Sequence, residues 1–150
     1  MNFFIQLFKL GAGFFSKTGG DMDKRKLIVI MNNTLTDEQL SEIKNEFVNI
    51  TIEYLPKDFQ EIWTKISPEY DRKKIHSLAR IGRNYITKNK FDIAIIQGEI
   101  GLTYALVNLL GYTNVYCMYP CFSRVPKEIK NPDGTIEVEQ ILKHVQFRRF

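Results

Sequence analysis

The sequence predicts an α/β domain built on a doubly wound, mostly parallel sheet, with an antiparallel C-terminal hairpin at one edge. Three observations carry that expectation. Ile93-Ala-Ile-Ile is a short apolar run without alternation, as a parallel strand covered on both faces requires. It turns through Gln97-Gly98-Glu99 into an apolar helix that runs to Leu110 and stops at Gly111. Strand and helix patterns then alternate along most of the chain.

The elements follow in order. Lys26 to Met31 reads as a first buried strand, closed by Asn32-Asn33-Thr34. Thr36 with Gln39 three residues on matches a capping box, and a helix follows to about Phe47. Ile50 to Tyr54 alternates as a shorter strand. Pro56 starts a helix with Phe59, Ile62, Trp63 and Ile66 on one face, ended by Ser67-Pro68. Asp71 caps a longer helix whose inner stripe holds Ile75, Leu78, Ala79, Gly82, Tyr85 and Ile86, while His76, Arg80 and Arg83 line a basic face read as solvated surface. After the strand from Asp92 and its helix, Asn114 to Tyr119 completes the alternating pattern. Pro120-Cys-Phe-Ser-Arg124 reads as a loop leading to a hairpin with the turn Asn131-Pro132-Asp133-Gly134. Ile141 to Phe150 alternates as an edge strand with His144, Gln146 and Arg148 on one side.

With 150 residues and a net charge of +4, the chain fits one domain with a real core, over residues 22–150. The charge permits an anionic partner without demanding one; no DNA partner is expected. Residues 1–21 read as an amphipathic prefix and a Gly19-Gly20 linker. The apolar run is too short to span a bilayer and lacks the flanks of a signal peptide. It reads as an appendage, a surface or membrane anchor through residues 3–15 or an upstream start, or equally as a small helix packed on the domain. Cys117 and Cys121, without a second pair or a nearby histidine, read as reduced, packed thiols of a cytoplasmic protein rather than as a zinc site.

Alternation of strands and helices places every strand-to-helix connection on one edge of the sheet. Asn32-Asn33-Thr34, Gln97-Gly98-Glu99 and Cys121-Phe122-Ser123-Arg124 are therefore expected in one cleft, with neutral donors, a helix N-terminus and one cation. That chemistry suits a phosphodiester or nucleotide. No Walker lysine loop, dinucleotide glycine fingerprint or carboxylate cluster for magnesium is present, so neither metal nor cofactor is expected.

The framework Lys26-Leu-Ile-Val-Ile…Leu35-Thr36-x-Glu38-Gln39, Leu55-Pro56 with Ile62-Trp63 and Ser67-Pro68, Gln97-Gly98-Glu99-x-Gly101 and His144-Val145-x-Phe147-Arg148 resembles the small CRISPR accessory proteins numbered twenty in the Csx series, over residues 26–150. The resemblance implies a Rossmann-like fold and a ring nuclease of type III systems. Such enzymes degrade cyclic oligoadenylate second messengers, typically cyclic tetra-adenylate, in a symmetric homodimer. Members of that family often carry Ser-His before the Leu-Thr motif, where this chain has Asn32-Asn33-Thr34.

A metal-independent mechanism can be written on these residues. The substrate's ribose 2′-hydroxyl attacks the adjacent phosphorus and leaves a 2′,3′-cyclic phosphate, so the protein must hold attacking and leaving oxygens in line. The expected catalytic set is Arg124 for phosphoryl charge, Asn33 and Ser123 for positioning, and His144 as a proton carrier, with a strand-packing role as the alternative for His144. The expected ligand contacts are Asn32, Thr34, Gln97, Gly98, Glu99, Gly101 and Thr103. Glu99 reads as a helix-start carboxylate or a ribose acceptor. The rival function is a binding protein that sequesters or senses the ring without turnover.

Overall fold

The computed structural model describes residues 24–150, so the prefix and linker expected over residues 1–21 lie outside the described residues. The order is β1 (Arg25–Ile30), α1 (Asp37–Glu46), β2 (Ile50–Tyr54), α2 (Lys57–Thr64), α3 (Arg72–Lys88), β3 (Ile93–Ile96), α4 (Ile100–Leu110), β4 (Tyr116–Lys130) and β5 (Ile136–Arg149). The sheet runs β2-β1-β3-β4-β5, with the first four strands parallel and β5 antiparallel to β4.

Strand alternation sorts the core into two layers. Leu27, Val29, Ile93, Ile95 and Met118 face one way and meet Leu35, Ile43 of α1 and Phe147 of β5. Ile28, Ile30, Ala94 and Ile96 face the other way, onto Trp63 of α2, Ala79 and Ile86 of α3, and Leu102 and Leu106 of α4. Helices therefore cover both faces, which is why β1 and β3 carry continuous apolar runs. Each fully buried aliphatic side chain there contributes about 1.5–3 kcal/mol. The basic face of α3 is not wholly solvated, because the Arg83 Nε is buried without a hydrogen-bond partner among the described residues.

α1 begins where the capping box places it. Thr36 Oγ1 accepts from Gln39 N at 3.3 Å, and Gln39 Oε1 accepts from Thr36 N at 3.0 Å. Thr36→Ala is expected to lower stability by about 1 kcal/mol in denaturant unfolding. An unchanged midpoint would show that the reciprocal bond is not holding the helix start.

The C-terminal part departs from expectation. The segment from Pro120 to Arg124 is not a loop: β4 continues through it to Lys130, so the strand after α4 and the first strand of the hairpin are one element. Phe122, Ser123 and Val125 find cross-strand partners in β5, and that ladder satisfies backbone groups that a loop would leave to water. A register shift between Cys121 and Phe122 pairs them with Gln146 and His144 and leaves Val145 as the extra residue. The bulge turns His144 toward α1, its ring 4.9 Å from that of Phe147, so His144 does not share a side with Gln146 and Arg148. The hairpin turn is as expected, with Gly134 at φ +87° and its N–H donating to Asn131 O at 3.0 Å.

Among the described residues no helix is long and apolar enough to cross a membrane. Cys117 is buried, and burial pushes its thiol up to about 11, so it carries little thiolate at neutral pH.

Candidate functional site

Strand order fixes where a ligand has room. From β1 the chain moves to β2 on one side, and β3 then lies on the other side of β1. The connections leaving the carboxyl ends of β1 and β3 therefore diverge, and open α/β sheets bind ligands in the crevice at such a switch point. Asn32, Asn33 and Thr34 leave β1 there, and Gln97, Gly98 and Glu99 leave β3; all six are exposed. The two turns are held together by Gln97 N donating to Ile30 O at 2.8 Å.

Helix α2 braces both turns from below. Gln60 Nε2 donates to Met31 O at 2.5 Å, and one helical turn later Trp63 Nε1 donates to Gln97 O at 3.2 Å. Tyr54 at the end of β2 accepts from Leu35 N at 3.3 Å and ties the far side of the first turn. Gly98 lies against the Trp63 indole, where a Cβ would collide with Nε1 and stand 2.9 Å from Cε2. These braces escape a reading by periodicity, which places Trp63 only on an apolar face. Its polar nitrogen is the signal, since a buried indole N–H needs an acceptor.

The start of α4 is already occupied by its own side chain. Glu99 Oε2 accepts from Leu102 N at 2.7 Å, and a Cβ on Gly101 would come within 3.3 Å of both Glu99 oxygens. Glu99 is thus the N-cap, and its charge meets the positive end of the helix. A phosphate at that end would have to displace it, whereas ribose hydroxyls or an adenine amino group could donate to it. Thr103, expected as a ligand contact, has its Oγ1 buried without a partner among the described residues.

Of the third expected segment, Cys121 stands level with Gly98 on the neighbouring strand, and only the far end runs away from the other two turns. Met118 is the last β4 residue paired with β3, opposite Ile95, so Arg124 lies about 20 Å further along β4 and about 10 Å beyond the level of Gly98 at roughly 3.4 Å per residue. Ser123 and Arg124 are exposed on the extended hairpin. His144 is committed to α1 instead. Its side chain is 4% exposed, Nε2 meets Glu42 Oε2 at 2.6 Å, and Nδ1 meets the Gln39 amide at 3.4 Å. Gln39 has given its oxygen to the cap, so its amide donates; His144 Nδ1 accepts and the proton sits on Nε2. The other Glu42 oxygen accepts from Phe147 N at 2.9 Å. Gln39 and Glu42, three residues apart on the inner side of α1, were the polar signal for this network.

A separate shallow cleft of about 610 Å³ lies between α1 and β5, lined by Glu38, Glu42, Glu46 and Lys143 among others. Burial, and then the neighbouring Glu42, raise the Glu46 carboxyl above its ordinary value. Three carboxylates against one lysine disfavour an anion in this cleft. Among the described residues no group of three or more His, Cys, Asp or Glu is placed to hold a metal ion.

Residues 25–148 match the family described as Uncharacterized protein MJ1673, so the match opens on the first residue of β1 and closes near the end of β5. Uncharacterized protein MJ1673 of Methanocaldococcus jannaschii is 30% identical over 127 residues, covering 83% of this chain and 96% of that protein. No solved structure matches the chain. By the extent of both matches, the chain belongs to the Uncharacterized protein MJ1673 family.

Proposed function

We propose that this protein is a metal-independent ring nuclease that binds a cyclic oligoadenylate, cyclic tetra-adenylate by preference, at the carboxyl edge of a Rossmann-like sheet. The observation that carries the reading is the pair of braced, exposed polar turns at the switch point between β1 and β3. Asn32, Asn33, Thr34 and Gln97 offer amide and hydroxyl groups to ribose and phosphate, Gly98 lets the backbone approach the ring, and Glu99 accepts from a ribose or adenine donor. Arg124 and His144 drop out of the catalytic set, one standing on the hairpin and the other locked by Glu42 and Gln39. The protein's contribution is then in-line positioning of the substrate's own 2′-hydroxyl, an orientation effect. A ring with two-fold symmetry spans two such crevices in a homodimer. The resemblance to the CRISPR accessory family and the cytoplasmic setting of such systems accord with this reading.

The experiment is incubation of the full chain with radiolabelled cyclic tetra-adenylate in excess EDTA. Linear products ending in 2′,3′-cyclic phosphate are expected, and neither binding nor cleavage would overturn the reading. Asn33→His is expected to change the rate only a fewfold, because positioning needs no titratable group. A second reading, sequestration without turnover, is favoured by the capped Glu99 and the locked His144, which leave the crevice without an evident proton carrier. Stoichiometric protection of the ring by the parent, with a gain of about a hundredfold or more in the Asn33→His variant, would establish that reading instead.

A further inference from the structure

We propose that the β4–β5 hairpin is a dimerisation arm that packs face to face on the same arm of a second copy, antiparallel, about a two-fold axis passing by Pro126 and Gln140. Beyond Phe122 and His144 the two strands pair only with each other, for about 27 Å up to Lys130. Among the described residues no further layer covers this stretch, and a two-stranded ribbon by itself is marginal in water. This one nevertheless exposes aliphatic side chains, with Ile136, Val138 and Leu142 at 57%, 61% and 64% exposure.

The register shows what covers them. Residues directly opposite share a face, and alternate pairs share the same one. On the face continuous with His144, Leu142 lies opposite Arg124 and Val138 opposite Glu128, with the Pro126–Gln140 pair midway between those two levels. A two-fold axis across the ribbon at that midpoint exchanges the two levels while keeping β4 over β4 and β5 over β5. Leu142 of one copy then stacks on Val138 of the other, and Arg124 of one copy meets Glu128 of the other, each twice. The face is complementary to itself in both shape class and charge, which is what an isologous contact requires. Arg124 and Glu128 of one chain are about 14 Å apart along the strand, so this charge pair can form only between chains. Pro126 lacks a backbone N–H and disfavours edge-to-edge extension, leaving the faces as the contact.

Because β4 leaves through the carboxyl edge of the sheet, antiparallel arms turn the two switch-point crevices toward one another. At roughly 3.4 Å per residue the level of Gly98 lies about 17 Å short of Pro126, so the two crevices stand about 34 Å apart along the arms; the arm contact is therefore separate from the two-fold ring site proposed above and forms without ligand. Contact between two such ribbons is at the small end of specific interfaces, so the dimer is concentration-dependent.

The test is sedimentation velocity of the full chain, without ligand, over about 1–200 µM, with R124E, E128R and their equimolar mixture. The parent is expected to dimerise, and each single reversal to weaken association at least tenfold by setting like charges face to face. In a dimer of one R124E copy and one E128R copy, the two introduced charges are opposite and meet at one contact. At the other contact, Glu128 of the first copy meets Arg124 of the second, so mixing restores association. That rescue also shows that both variants fold. A parent that remains monomeric throughout, a dimer indifferent to both reversals, or a mixture no tighter than its components would each overturn the arm. An arm-linked dimer that fails to bind cyclic tetra-adenylate would overturn only the nucleotide reading.

Discussion

Glu42→Ala is expected to lose about 2–4 kcal/mol of folding stability, although Glu42 is a partly exposed residue in the middle of a surface helix. The carboxylate accepts two hydrogen bonds from β5, from His144 Nε2 at 2.6 Å and Phe147 N at 2.9 Å. Alanine leaves an almost fully buried imidazole N–H and a backbone N–H without their acceptor, and each such orphan costs about 1–3 kcal/mol. Entry of water past the shortened side chain recovers part of that. Glu42→Gln keeps a single neutral acceptor and should fall between alanine and the parent. Urea unfolding reads the effect as a lower midpoint with an unchanged slope. A loss below about 0.5 kcal/mol for alanine would mean that α1 and β5 are held by Phe147 packing alone, with a contribution from the hydrogen-bonded network no larger than that of an ordinary surface substitution.

Gly98→Ala acts on the other side of the sheet and should cost about 2–3 kcal/mol. No positive φ is needed at Gly98, so the backbone tolerates alanine and the penalty is one of space. The new methyl would overlap Trp63 Nε1 and lie 2.9 Å from Cε2, inside contact distance for a rigid ring that is itself buried. Moving the indole overpacks the α2–α4 layer, at about 1–3 kcal/mol, and weakens the Trp63–Gln97 hydrogen bond, worth about 1 kcal/mol. Trp63 is the sole tryptophan, so its emission should shift to the red as the ring is displaced. Trp63→Phe in the same chain removes the clashing nitrogen edge and should recover part of the loss, a coupling that a double-mutant cycle measures directly. Strict additivity of the two substitutions would show that the indole does not limit the size of residue 98.

The half of the molecule built on local rules was legible in the amino acids. Apolar runs without alternation marked β1 and β3, the Thr36–Gln39 spacing marked the start of α1, and Asn131 to Gly134 marked the hairpin turn, because each rests on backbone preferences acting within a few residues. Two of the three expected turns, after β1 and β3, do meet at the carboxyl edge, since alternation of strand and helix by itself puts them there.

The expected third turn failed for a reason of the same kind. Pro120 and the polar residues after it look like a loop, yet β5 supplies a partner strand far along the chain, and the ladder of cross-strand bonds outweighs the local preference. His144 tells a similar story. Its alternation with Gln146 and Arg148 was read on a regular strand, and one bulged residue moved it to the opposite face, where Glu42 lay about a hundred residues earlier in the sequence. The sequence by itself determined the element types, the parallel core and the edge on which the polar turns gather, because these follow from periodicity and chain connectivity. Only the tertiary structure decided that α2 braces both turns, that Arg124 stands on a projecting arm and that His144 is locked against α1. Those outcomes depend on contacts between distant segments, whose register no local pattern specifies.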